Sequence, residues 1–204
     1  LSVEGCTNEG EVATRLGLTG IPSVAESIVL DRDLRLTELT GSRLHASHLT
    51  TEMSISAVRN AKIRDVRVTC SVTPHHFTLN ETAIGEYRTF AKTWPPLRSE
   101  LDRCALIDGL SDGTVDVISS GHTPQDQESK RLPFAQAATG ISGLETMLPL
   151  ALDLYHKDKL SLHAVLEKMT STPARLLNLK SGRLVSGAPA DLILIDIDSP
   201  WLID

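Results

Sequence analysis

Apolar positions along this chain change period repeatedly, from helix-face spacing to the short apolar runs of buried strands. Residues 8–18 have helical composition and end at Gly20-Ile21-Pro22, a stop followed by a turn. Pro22 suits the first turn of a second helix, predicted over Ser23–Leu39 and closed by Gly41. Arg43–Leu49 reads as a strand, after which Thr50 or Thr51 can cap a helix running to about Arg64. Val66–Thr73 is the next strand and Ser99–Leu110 the next helix. Between them lies Pro74–Arg98, a long polar stretch of the kind compact domains keep for functional loops. Asp112-Gly113 turns the chain into a third strand, Thr114–Ile118. A second long loop passes through Gln125–Pro133, and helices follow at 143–155, at 161–169 and from near Pro173. Around Gly187 the pattern changes to β character.

Strands alternating with helices make parallel, right-handed βαβ units. Three such strands alone would leave apolar faces and edges uncovered. The expected fold class is therefore α/β, the C-terminal part of a (β/α)8 TIM barrel over residues 1–178. Residues 179–204 are expected to begin a small β domain, a segment of a β-sandwich. The reading includes a missing N-terminal half of the barrel. Open strand edges further predict a homo-oligomer or another covering chain.

Composition narrows the partners. With 204 residues, 41% of them hydrophobic and 23% charged, the chain can bury a sizeable core. Only 3% are aromatic, so Leu, Ile, Val and Ala must build it. A net charge of -6 argues against nucleic acid or an anionic membrane as partner. No apolar run approaches a membrane span. Cys6, Cys70 and Cys104 are far apart and form no C-x-x-C pattern, which predicts reduced thiols and a cytoplasmic location. Cys70 lies in a strand pattern and reads as a small buried hydrophobe. The chain opens at Leu1, so a targeting segment on a longer precursor would not be visible.

The polar loop Ser119-Ser120-Gly121-His122-Thr123-Pro124 leaves the third strand where barrel enzymes place catalytic groups. It is one of several stretches that resemble dihydroorotase. The others are Ala13–Pro22, His45-Ala46-Ser47-His48-Leu49-Thr50-Thr51, Val72-Thr73-Pro74-His75-His76, Lys92–Glu100 and Gly140–Thr146. The tail Gly182-x-Leu184-x-x-Gly187-x-x-Ala190-Asp191-Leu192 is shared with the wider amidohydrolase superfamily, including allantoinases and hydantoinases. Val-Thr-Pro-His-His and Pro-Pro-Leu-Arg favour dihydroorotase among them. The resemblance implies a barrel of the metal-dependent hydrolase type, zinc as cofactor, and reversible hydrolysis of dihydroorotate to carbamoyl aspartate in pyrimidine biosynthesis.

A cyclic amide resists water; a zinc-bound hydroxide supplies the nucleophile and the metal polarises the carbonyl. Such a site needs about three protein ligands and an open position. The resemblance draws ligands from a His-x-His, a further histidine, a sixth-strand histidine and a final-strand aspartate. His48 matches the sixth-strand histidine and is the candidate metal ligand. Gly121 stands at the aspartate, which would bind metal and move protons; glycine does neither. No His-x-His exists among His45, His48, His75, His76, His122, His156 and His163. Loss of a general base costs roughly 10²–10⁴-fold in rate. Gln125 replaces a substrate-binding histidine, and Trp94 a small polar residue, commonly asparagine, that would bond the ring. Thr139 and Gly140 match backbone that touches substrate.

The remaining candidates have plainer readings. His45 is expected to be structural, His75 and His76 loop or supporting residues, and His156 and His163 solvated. His122 neighbours the lost aspartate. Residues 126–131 read as an exposed loop, with a lid as the alternative. Two functions follow. One is a dihydroorotase inactive as this chain; the other is a non-catalytic dihydroorotase-like subunit supporting aspartate transcarbamoylase. A cyclic amidohydrolase for another substrate is a third.

Overall fold

A computed structural model of the protein describes residues 4–200. The chain begins with two short parallel strands, β1 (Thr7–Asn8) and β2 (Gly20–Ile21), paired Thr7 to Gly20. The helix α1 (Glu11–Leu16) runs between them and ends at Gly17, whose φ of 63° suits glycine. The helix expected over 8–18 is thus shorter and framed by strands. Two-residue strands carry too few positions to show a period.

The main sheet follows closer to expectation. After α2 (Val24–Thr40) come β3 (Leu44–Ala46), α3 (Glu52–Ile63) and β4 (Val68–Val72). Thr51 caps α3 by accepting from the Ser54 N–H. α4 (Pro74–Thr78) starts directly after β4, so the long loop expected from Pro74 opens with a helical turn. Two 3₁₀ turns, Glu81–Ile84 and Thr89–Ala91, occupy more of it. α5 (Glu100–Ser111) begins with a reciprocal capping box between Ser99 and Asp102. β5 (Val117–Ile118), α6 (Gln127–Lys130), α7 (Leu144–His156), α8 (Leu162–Met169) and α9 (Ser171–Leu176) complete the order.

β3, β4 and β5 form one parallel sheet in that order, with His45 opposite Thr69 and Ser71 opposite Val117. Alternate strand residues point to different layers. Val68, Cys70, Val72 and Ile118 join Ile55 and Val58 of α3, Leu106 and Leu110 of α5, Leu154 of α7 and Val165 of α8 in the main core. The opposite parity carries Arg43, His45, Ser47, Arg67, Thr69 and Ser71, all polar. The buried apolar layer therefore lies on the helix side; the other face is polar on β3 and β4, with the buried Val117 of β5 beside Ser71. Cys70 has no exposed surface, and burial pushes its thiol up to about 12, which makes it inert.

Beyond α9 no strand forms among the described residues. Leu184, Leu192, Ile193 and Leu194 are 84%, 66%, 76% and 102% exposed, an apolar run with no second sheet to cover it. Residues 201–204 of the expected small β domain lie outside the described residues.

Candidate functional site

The C-terminal ends of the three strands place the candidate residues. His48 follows β3 in the left-handed region (φ 55°), and its N–H donates to Ser71 Oγ at 3.2 Å. Non-glycine residues held there store strain, which clusters at functional positions. Burial lowers the His48 pKa, with His45 adding to the effect; burial lowers that of His45 too. His45, exposed, shares a hydrogen between its Nδ1 and Thr69 Oγ1 at 2.8 Å.

His75 and His76 lie in the first turn of α4, 6% and 3% exposed, and so are buried helix residues and not loop ones. Thr73 Oγ1 stands 3.0 Å from His75 Nε2 and 2.6 Å from His76 Nδ1. His76 Nε2 reaches the Pro95 carbonyl at 2.9 Å. Burial, assisted by His48, holds His75 at about 4; burial and then His75 push His76 well below the ordinary histidine value. Both rings are neutral at pH 7.

Gly121 follows β5 with φ 58°. A Cβ there would stand 2.6 Å from His75 Cε1 and 2.8 Å from Thr73 Cγ2. The place of an acid side chain is filled by the β4–α4 junction. His122 turns the other way: its Nδ1 accepts from the Gly143 and Leu144 N–H groups at the start of α7.

Gln125, Thr139 and Gly140 are brought together. Gln125 Nε2 donates to the Thr139 carbonyl at 3.0 Å, and the Gly140 N–H donates to the Lys92 carbonyl at 2.9 Å. Trp94, two residues beyond Lys92, is 62% exposed on a cavity of about 640 Å³. That cavity runs along the free edge of β3, between Ala25, Val29 and Leu30 of α2 and Pro95-Pro96. His156 is exposed, and the His163 side chain is 90% exposed.

The residues of this chain do not fit a zinc centre on their own. Among the described residues, no three or more His, Cys, Asp or Glu side chains converge as a metal site. At Gly121 a Cβ would press on the His75 and Thr73 side chains.

Two buried polar constructions were not read from the sequence. Lys92 Nζ donates to the Phe134, Ala135 and Ala137 carbonyls at 2.8, 3.0 and 2.7 Å, and Lys130 Nζ donates to the Thr89 and Lys92 carbonyls. Lys130 is 4% exposed, so the charged stretch 126–131 sends one residue inward. Arg98, also 4% exposed, donates to Asn8 Oδ1, the Ile21 carbonyl and Thr50 Oγ1. Glu26 accepts from the backbone and side-chain groups of Thr50 and Thr51. Lys92 and Arg98 sat inside quoted motifs, but a motif does not say which way a side chain points.

An amidohydrolase family model matches residues 8–202. The chain belongs to the amidohydrolase family. It is 48% identical over its full length to a dihydroorotase of Anaplasma phagocytophilum, covering 46% of that protein. It is equally identical, again over its full length, to a dihydroorotase of Desulforapulum autotrophicum, covering 48%. The chain thus spans about half the length of the curated relatives it matches. An L-hydantoinase (dihydropyrimidinase) structure from Arthrobacter aurescens superposes with a TM-score of 0.81 at 26% identity, over 89% of this chain and 42% of that one. A dihydropyrimidinase from Brevibacillus agri superposes with a TM-score of 0.78 at 22% identity, over 83% and 39%. These structures place the parallel sheet and its helices in the TIM-barrel amidohydrolase fold.

Proposed function

We propose that this chain is the C-terminal part of a dihydroorotase-type cyclic amide hydrolase and does not turn over substrate by itself. The observation that carries the assignment is identity of 42–48% to curated dihydroorotases across essentially the whole chain. Hydantoinase-type structures of the same fold reach 21–26%. The substrate class is a small cyclic amide, dihydroorotate in this reading. Zinc enters only through the family. This chain would contribute His48 to it, and the strained backbone at His48 supports that role. Gly121 marks the lost acid, while Gln125, Thr139 and Gly140 line the substrate side and Trp94 borders it. A barrel segment over 1–178, a small β domain over 179–204, a cytoplasmic location and pairing with another chain belong to the same proposal.

Silence follows from the packing at Gly121 and from the lack of a converging ligand set among the described residues. Cyclisation of carbamoyl aspartate, assayed on the chain with added zinc, tests it; turnover at ordinary enzyme rates refutes silence. The same packing favours a second reading, a non-catalytic subunit that supports aspartate transcarbamoylase. Co-purification of the two proteins, with a gain in transcarbamoylase stability, would support it.

A further inference from the structure

Hydrogen-bond accounting around Thr73 fixes where each proton lies. His76 Nε2 faces the Pro95 carbonyl oxygen at 2.9 Å. A carbonyl only accepts, so Nε2 carries a proton. The ring is buried and neutral, so Nδ1 is a bare acceptor and the Thr73 hydroxyl donates to it across 2.6 Å. That hydroxyl has one proton. Toward His75 it can only accept, and His75 Nε2 must donate at 3.0 Å. His75 is neutral as well, which leaves its Nδ1 bare.

No group among the described residues faces His75 Nδ1. It is not sealed in either. The one fully buried side-chain polar atom without a partner among the described residues is Thr7 Oγ1, so His75 Nδ1 keeps contact with solvent. Cε1, the ring carbon next to Nδ1, lies against Gly121. Cε1 is bonded to both nitrogens, so the Nδ1–Cε1 edge of the ring borders the end of β5, where the resemblance sets an acid.

We infer that His75 Nδ1 is a hydrogen-bond acceptor subsite for the ring N–H of a cyclic amide or ureide, with Thr73 and His76 as positioning residues. This rests on the cyclic amide reading of the site. Two roles for such a nitrogen can be separated by magnitude. A general base works best with a pKa near the working pH. A ring held at about 4 removes a proton from water poorly but accepts a hydrogen bond unchanged from pH 5 to 8. The subsite binds; it does not relay protons.

Nitrogen-15 spectra of the histidine-labelled full chain test this directly. At pH 7, His75 and His76 should both be protonated on Nε2, with His75→Gln assigning the first set of signals. Thr73→Val should mix the His75 tautomers, and Thr73→Ser should restore the single form. Dihydroorotate at millimolar concentration should shift the His75 Nδ1 resonance and leave the exposed His163 resonance in place. A proton on His75 Nδ1, or an Nδ1 signal unmoved by dihydroorotate, overturns the inference. The wild-type spectra decide it even if a Thr73 variant fails to fold. An Nδ1 shift without turnover in any assembly counts against the hydrolase reading alone, and turnover with an unmoved Nδ1 counts against the subsite alone.

Discussion

His75 Cε1 lies 2.6 Å from the point where a Cβ on Gly121 would stand, so a side chain at 121 requires the His75 ring to shift. Gly121 also holds φ 58°, a conformation L side chains resist. The two positions form one packing unit.

Restoring the acid by Gly121→Asp is therefore expected to destabilise the protein without restoring turnover. Overpacking costs about 1–3 kcal/mol, and the positive φ adds to it. Combining it with His75→Ala should recover part of the loss, because neighbouring sites couple. Urea midpoints of the single and double variants measure this, and strictly additive effects would contradict the steric account.

Acid should weaken the fold over a defined range. His75 falls from 6.5 to about 4 on folding, and His76 falls further. Below 6.5 the unfolded chain binds protons that the native rings refuse, so stability is full above that value and declines as pH falls toward 4. The His75 contribution is on the order of 3 kcal/mol. Denaturant unfolding at pH 7.5 and 5.0 should show the decline, and His75→Gln should flatten it.

Lys92→Met should loosen the loop that carries Gln125 and Thr139. Its ammonium satisfies three carbonyls in a buried pocket, and burial lowers its pKa. Leaving buried acceptors unpaired costs about 1–3 kcal/mol. Limited proteolysis should then cut within 126–136 faster than in the wild type. An unchanged cleavage pattern would show that Lys130 holds the loop unaided.

Arg98→Lys is not conservative here. The guanidinium spans Asn8, the Ile21 carbonyl and Thr50, joining the β1–β2 unit to the main sheet through three partners that an ammonium cannot reach together. A loss of about 2 kcal/mol or more is expected from the groups left unpaired. Hydrogen exchange at the Cys6 and Glu9 amides, which bond to Thr19 and Ile21, should report the uncoupling first.

Elements with several periodic positions and side-chain caps were legible in the sequence. Thr51 announces α3, and β4 alternates Val68, Cys70 and Val72 with Thr69 and Ser71. β1 and β2 were not legible, since two residues carry no period and their pairing depends on contacts across the chain. The site was legible as a set of positions and not as an arrangement. Gly121 read as a glycine at the position of an acid, whereas the closeness of the His75 ring to it is a tertiary fact. His75 and His76 read as loop residues because the helical turn at Pro74 is a single turn with little pattern of its own.

The mixed face of the sheet opposite the core has a consequence for how this protein can meet another. Arg43, His45, Arg67 and Thr69 share their surface with Val117, Pro173, Leu176 and Leu177, so whatever meets it must supply both matching donors and apolar cover. Association through it should consequently respond to ionic strength and to mild detergent alike.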